Sequence, residues 1–102
     1  MNKPGVDPAP VEPITEVDAT ISNRRGLHAR ASAKFSALAG SYEAAVRVRR
    51  DDMDVGGCSI MGLLMLGAGP GTVITISASG PQSCEAVDAL RRLVEDRFGE
   101  GE

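Results

Sequence analysis

Apolar and polar residues alternate from Val17 to Ile21, with Val17, Ala19 and Ile21 on one side and Asp18 and Thr20 on the other. A period of two with one apolar side predicts a strand. The period then lengthens. Ala31, Phe35 and Leu38 fall at helical spacing among alanines at 29, 33, 37 and 39, so a helix is predicted to begin near residue 29 and to reach about Ala39. Gly40 reads as its terminator. Alternation resumes over residues 42–49, where Ala44, Val46 and Val48 oppose Ala45, Arg47 and Arg49 in a half-exposed second strand. Arg50-Asp51-Asp52 predicts a tight turn, and Met53 and Val55 a short third strand that Gly56-Gly57 breaks.

Ser59 is a good N-cap for a short helix over residues 60–66. Gly62 weakens that helix but leaves room for a close approach. The helix is apolar nearly all round. Part of it must face the core, and the rest forms an exposed apolar patch of the kind that marks a partner surface. The glycine-rich stretch 67–71 is a loop, and the β-branched run 72–78 a central fourth strand ended by Gly80-Pro81. The last helix is predicted over residues 83–98, with Val87, Leu90, Val94 and Phe98 as its buried stripe and Gly99 at its exit. Asp88–Arg92 and Arg91–Glu95 are surface pairs at helical spacing. The order β-α-β-β-α-β-α implies an α+β domain, with helices on one face of a mainly antiparallel sheet. Strand order does not follow from it. Residues 1–16 carry Pro4, Pro8, Pro10 and Pro13 and read as a flexible, extended tail, leaving residues 17–102 as the domain.

Composition narrows the function. At 102 residues the chain supports one small domain with a single core. A net charge of −3 argues against a dedicated nucleic-acid binder, and 3% aromatic residues without Trp leave little for base stacking. No apolar run approaches a membrane span, and no apolar core follows Lys3 as in a secretory signal, so a cytoplasmic protein without membrane insertion is expected. Cys58 and Cys84 make no metal-ligand spacing with the single histidine and read as small, partly buried thiols. Neither a metal nor a cofactor is expected.

The chemistry concentrates in Arg24-Arg25-Gly26-Leu27-His28-Ala29-Arg30. Gly26 supplies the backbone freedom to turn from strand to helix, which puts His28 at or just before the first helical turn. Backbone N–H groups there, those of Ala29 and Arg30, lack intrahelical partners and attract anions, phosphate above all. Arg30 adds a guanidinium fork suited to phosphate oxygens. A neutral imidazole at such a place is a candidate phosphoryl acceptor. Arg24, Arg25, Arg30, Lys34, Arg47, Arg49 and Arg50 load positive charge into the first half of the chain. Clustered around His28, they would steer an acidic partner onto it. Arg50 alone reads as a solvated charge.

Gly26-Leu27-His28-Ala29-Arg30 resembles the active-site motif of the HPr family, the histidine-containing phosphocarriers of the bacterial phosphotransferase system. A second segment, Cys58-Ser59-Ile60-Met61-Gly62-Leu63-Leu64-Met65-Leu66-Gly67, resembles the family's regulatory-serine segment, at the family's separation. The resemblance covers about residues 17–98. It implies an open-faced β-sandwich with strand order 1-4-2-3 and three helices on one face. It also implies that His28 accepts a phosphoryl group through Nδ1 from enzyme I and passes it to a histidine of an enzyme IIA domain, with Arg30 holding the phosphoryl oxygens. The protein is then a carrier rather than an enzyme, and a monomer. Arg25, Leu27, Ile60, Met61 and Leu64 are the expected partner surface. Ser59 matches the serine phosphorylated by HPr kinase/phosphorylase in part of the family. Two departures stand out: Ala31-Ser32 replaces a common Pro-Ala, and Arg25 replaces a small polar residue. The alternatives are a regulatory HPr-like binding protein of a nitrogen-type branch and, ranked lower, a small acyl phosphatase.

Overall fold

The computed structural model describes residues 14–101. The proline-rich stretch read as a tail falls outside the described residues up to position 13. Strand β1 (Thr15–Thr20) is followed by helix α1 (Ala29–Gly40). The hairpin β2 (Ala45–Arg50) and β3 (Met53–Gly56) leads into α2 (Ile60–Met65), then β4 (Val73–Ser79) and α3 (Ser83–Glu95). The sheet is antiparallel throughout, in the order β1-β4-β2-β3 that the resemblance implied.

One row across the sheet shows how alternation became a core. Val17 pairs with Ile76, Ile76 with Val48, and Val48 with Val55. Their side chains point to the helix side, where Ile74, Ile76, Val48, Phe35, Leu63, Leu90 and Val94 are fully buried. The opposite face is polar and internally paired. Arg49 reaches Glu16 at 3.4 Å, Arg47 reaches Asp54 at 3.0 Å, and Thr75 donates to Asp18 at 2.8 Å. Two of the seven cations expected around His28 are therefore spent on the open sheet face.

Three element readings and one of side-chain exposure need correction. β1 starts at Thr15, two residues ahead of the predicted strand, because Thr15 and Glu16 already pair with Ala78 and Ser77. Gly40 does not stop α1; it is the last helical residue, and Ser41 caps the end by giving both its N–H (3.1 Å) and its hydroxyl (2.7 Å) to the Leu38 carbonyl. The third helix ends at Glu95 rather than 98. Arg97 (φ 57°) and Phe98 (φ 54°) enter the left-handed region, which turns the chain back on itself. Each such residue costs about 1–2 kcal/mol, and burying the Phe98 ring to 1% exposure offsets that cost. Cys58 and Cys84 are free and exposed rather than partly buried, since both lie at helix starts on the outer surface. Among the described residues no helix is long and apolar enough to cross a membrane.

Candidate functional site

Gly26 makes the strand-to-helix turn. Its φ is +64°, and a Cβ there would stand 2.3 Å from the Ala68 carbonyl oxygen, so no other residue fits without displacing the 68–69 backbone. That close approach lets Leu27 N–H donate to Ala68 at 2.9 Å, which fastens the turn to the loop before β4. Ser32, at one of the two departures from the family motif, is buried and gives its hydroxyl to the Leu27 carbonyl at 3.2 Å. The turn is thus held from below by the Ser32 side chain, one position beyond Ala31, where a proline would have stiffened it from within.

His28 emerges as the N-cap residue of α1, with extended backbone (φ −78°, ψ −177°) and no capping bond from its ring. Its carbonyl accepts the first helical bond from Ser32 N–H at 2.8 Å. The first-turn N–H groups of Ala29 and Arg30 have no intrahelical acceptor. The imidazole opens into a pocket of about 410 Å³ lined by Arg25, His28, Arg30, Lys34, Gly99 and Glu100. Among the described residues neither Arg25 nor Arg30 has a carboxylate partner. Three of the seven cations expected around His28 therefore gather here, and two hold their charge in reserve for an incoming anion.

Residues from far along the chain complete the pocket. The C-terminal turn brings Glu100 onto His28, with Oε2 at 2.5 Å from Nε2. The other carboxylate oxygen, Oε1, accepts from Asn23 Nδ2 at 2.9 Å, and the same amide nitrogen donates to Gly26 O at 2.9 Å. Lys34 Nζ donates to the Phe98 carbonyl at 2.7 Å and so pins the turn that carries Glu100. The bond to His28 first, and the bond to Asn23 next, hold the Glu100 carboxyl below its ordinary range. No sequence signal pairs Glu100 or Asn23 with His28. The glycines flanking Glu100 hint only at a turn.

Ser59 caps α2 as its sequence suggested, its exposed hydroxyl oxygen accepting from Gly62 N–H at 2.9 Å. A Cβ at Gly62 would lie 3.0 Å from both Ser59 Oγ and Val55 Cβ, so any larger residue would crowd these two side chains. The expected partner surface is only partly brought to the outside. Ile60 and Met61 (68% exposed) face out and Leu64 is half-buried, while Met65 (66%) joins them without having been singled out. Leu27 is corrected outright: at 5% exposure it belongs to the core, its backbone fastened to the Ala68 carbonyl and its side chain within the hydrophobic cluster. Arg50 is corrected too. Its guanidinium donates to Leu66 O at 2.6 Å and Gly67 O at 2.9 Å, closing the C-terminal end of α2 rather than dissolving in solvent.

An imidazole at a helix start and two guanidiniums without a carboxylate partner among the described residues thus meet at one end of an open-faced 1-4-2-3 sheet. A family model described as "PTS HPr component phosphorylation site" matches residues 15–96. The phosphocarrier protein HPr of Cupriavidus necator is 51% identical over 85 residues, covering 83% of this chain and 96% of its own. The phosphocarrier protein NPr of Shewanella violacea is 38% identical over 85 residues, covering 83% and 93%. The crystal structure of HPr-C-His from Thermoanaerobacter tengcongensis superposes with a TM-score of 0.81 at 41% identity, over 84% of this chain and 97% of that one. The chain belongs to the HPr family of phosphocarrier proteins of the phosphotransferase system.

Proposed function

We propose that this protein carries a phosphoryl group on His28, taking it from a phosphohistidine of enzyme I, itself charged by phosphoenolpyruvate, and handing it to a histidine of an enzyme IIA domain. The observation that carries the reading is the imidazole at the start of α1, facing a pocket in which Arg25 and Arg30 have no carboxylate partner among the described residues. Phosphoryl transfer between two nitrogens needs alignment and charge neutralisation more than covalent help. The N–H groups of Ala29 and Arg30 and the Arg30 guanidinium supply the neutralisation. The site is open, so the partner protein completes it and excludes water. A shallow site also suits a labile N–P bond, which must be held without being locked.

Partners dock beside the pocket. Exposed Ile60, Met61 and Met65 on α2 provide an adaptable apolar patch, and Arg25 and Arg30 provide charge for an acidic surface. Phosphorylation of Ser59 by an HPr kinase/phosphorylase would put about −1.5 to −2 charge at the edge of that patch and oppose docking of an acidic enzyme I.

Intact mass after incubation with enzyme I and phosphoenolpyruvate tests the reading. Wild type gains one acid-labile phosphoryl group and His28→Ala gains none. A wild type that stays unmodified beside an active enzyme I removes the carrier role.

A further inference from the structure

Glu100 is the one carboxylate lining the pocket among the described residues, and its geometry bears on how the imidazole reacts. Resting on the carrier reading above, we propose that Asn23 and Glu100 form a positioning pair that fixes the tautomer of His28 and supplies the counter-charge to its phosphorylated ring.

An ionised carboxylate can only accept hydrogen bonds, so the contact between Glu100 Oε2 and His28 Nε2 requires the proton to be on Nε2. A neutral imidazole has one N–H. Placing it on Nε2 leaves the lone pair on Nδ1. The consequence for transfer can be followed atom by atom. The Nδ1 lone pair forms the new N–P bond, the donor's N–P bond breaks, and that electron pair stays on the donor nitrogen. No proton moves at Nε2, so the His28 ring becomes formally positive. The Glu100 carboxylate already touches the nitrogen that shares this charge. On delivery the Nδ1–P pair returns to Nδ1 and the ring is neutral again. Arg25 from the turn, and Arg30 and Lys34 from α1, also line the pocket, and all three are cations. Among the described residues lining the pocket, Glu100 alone offers the charge developing on the imidazole an opposite sign.

The carboxylate is aimed, not merely nearby. Asn23 is fully buried and spends its amide nitrogen on Glu100 Oε1 and Gly26 O. Its Oδ1 has no hydrogen-bond partner. A buried acceptor left empty is costly, and the opposite amide orientation would set an oxygen against two acceptors. The residue is kept in place by what its donors hold. It ties the carbonyl of the turn before His28 to the carboxylate behind it, so ring and counter-charge share one anchor. Lys34 secures the same segment from the other side through the Phe98 carbonyl.

The test is histidine-selective ¹⁵N NMR of the full chain at pH 8, above the usual imidazole range. The wild type should show the Nε2–H form, with the Nδ1–H form rising about tenfold in Glu100→Ala and in Asn23→Ala, as befits loss of a charge-assisted bond. Asn23→Ser serves as a milder variant should the alanine fail to fold. Simple loosening of the fold would lower the melting temperature without altering which nitrogen carries the proton. A wild-type tautomer ratio in either variant overturns the assignment. Phosphorylation of the wild type with unchanged tautomers in the variants defeats this pair alone. The expected tautomer shift in a protein that takes no phosphoryl group defeats the carrier role and the counter-charge with it.

Discussion

Nε2 of His28 lies 2.5 Å from Oε2 of Glu100, although 72 residues separate them in the chain. The contact exists because α3 stops at Glu95 and the next residues turn left-handed, folding the chain end over the start of α1. The Phe98 ring enters the core at that turn, and its carbonyl meets Lys34. The pocket wall nearest the histidine is therefore as dependent on a buried phenylalanine as on any polar group.

This contact has a pH signature. The Glu100 carboxyl is held below its ordinary value of 4.5, mainly by its bond to His28 and then by its bond to Asn23. A carboxyl lowered in the folded state contributes stability that is fully present above the unfolded value and is lost as pH falls through the folded one. The turn at residues 97–100 should stay docked through the weakly acidic range and detach only below pH 4.5. Following the Glu100 side-chain carboxyl carbon and the Phe98 amide by NMR checks this. Titration at or above 4.5 would contradict it.

Arg30→Ala should leave stability within about 0.5 kcal/mol, since its exposed side chain has no carboxylate partner among the described residues. The rate of phosphorylation by enzyme I should fall about 10- to 100-fold, the worth of one charge-assisted interaction with the phosphoryl oxygens. Arg30→Lys should recover only part of it, because an ammonium cannot make the two-pronged contact. Equal rates in all three proteins would take Arg30 out of the site.

Ser59→Ala removes the acceptor for Gly62 N–H and should cost about 1 kcal/mol in urea unfolding. Ser59→Asp keeps a capping oxygen, so it should recover most of that stability while weakening enzyme I binding through its charge. If the two variants bind enzyme I equally well, charge at this position does not control docking.

Arg50→Ala should destabilise by about 1–2 kcal/mol through loss of the bonds to the Leu66 and Gly67 carbonyls. Hydrogen exchange should quicken in the last turn of α2 and at Leu27, whose N–H depends on the adjoining Ala68 carbonyl. Protection unchanged at both places would show that the end of α2 is held by packing alone.

Much of this was legible from residue order. Strand alternation, the glycine turn before His28 and the Ser59 cap are local events, decided by neighbours within a few positions; the turn and the cap stand as the sequence predicts, and the first two strands do so with ends shifted by one to three residues. The two motifs also pointed to His28 and Arg30 as one site. Leu27 and Arg50 were misjudged for a shared reason. Whether an apolar residue in a motif faces a partner or the core, and whether an arginine is solvated or bonded, depends on what packs against it.

His28, its place at a helix start and the cations on α1 followed from composition and spacing, because helix and turn signals act over a few residues. The retention of Arg25, Arg30 and Lys34 at the pocket, the loss of Arg47 and Arg49 to the sheet face, and the arrival of Asn23 and Glu100 on the imidazole did not. Those depend on strand register and on a left-handed turn stabilised by one buried ring, which exist only once distant segments have packed together.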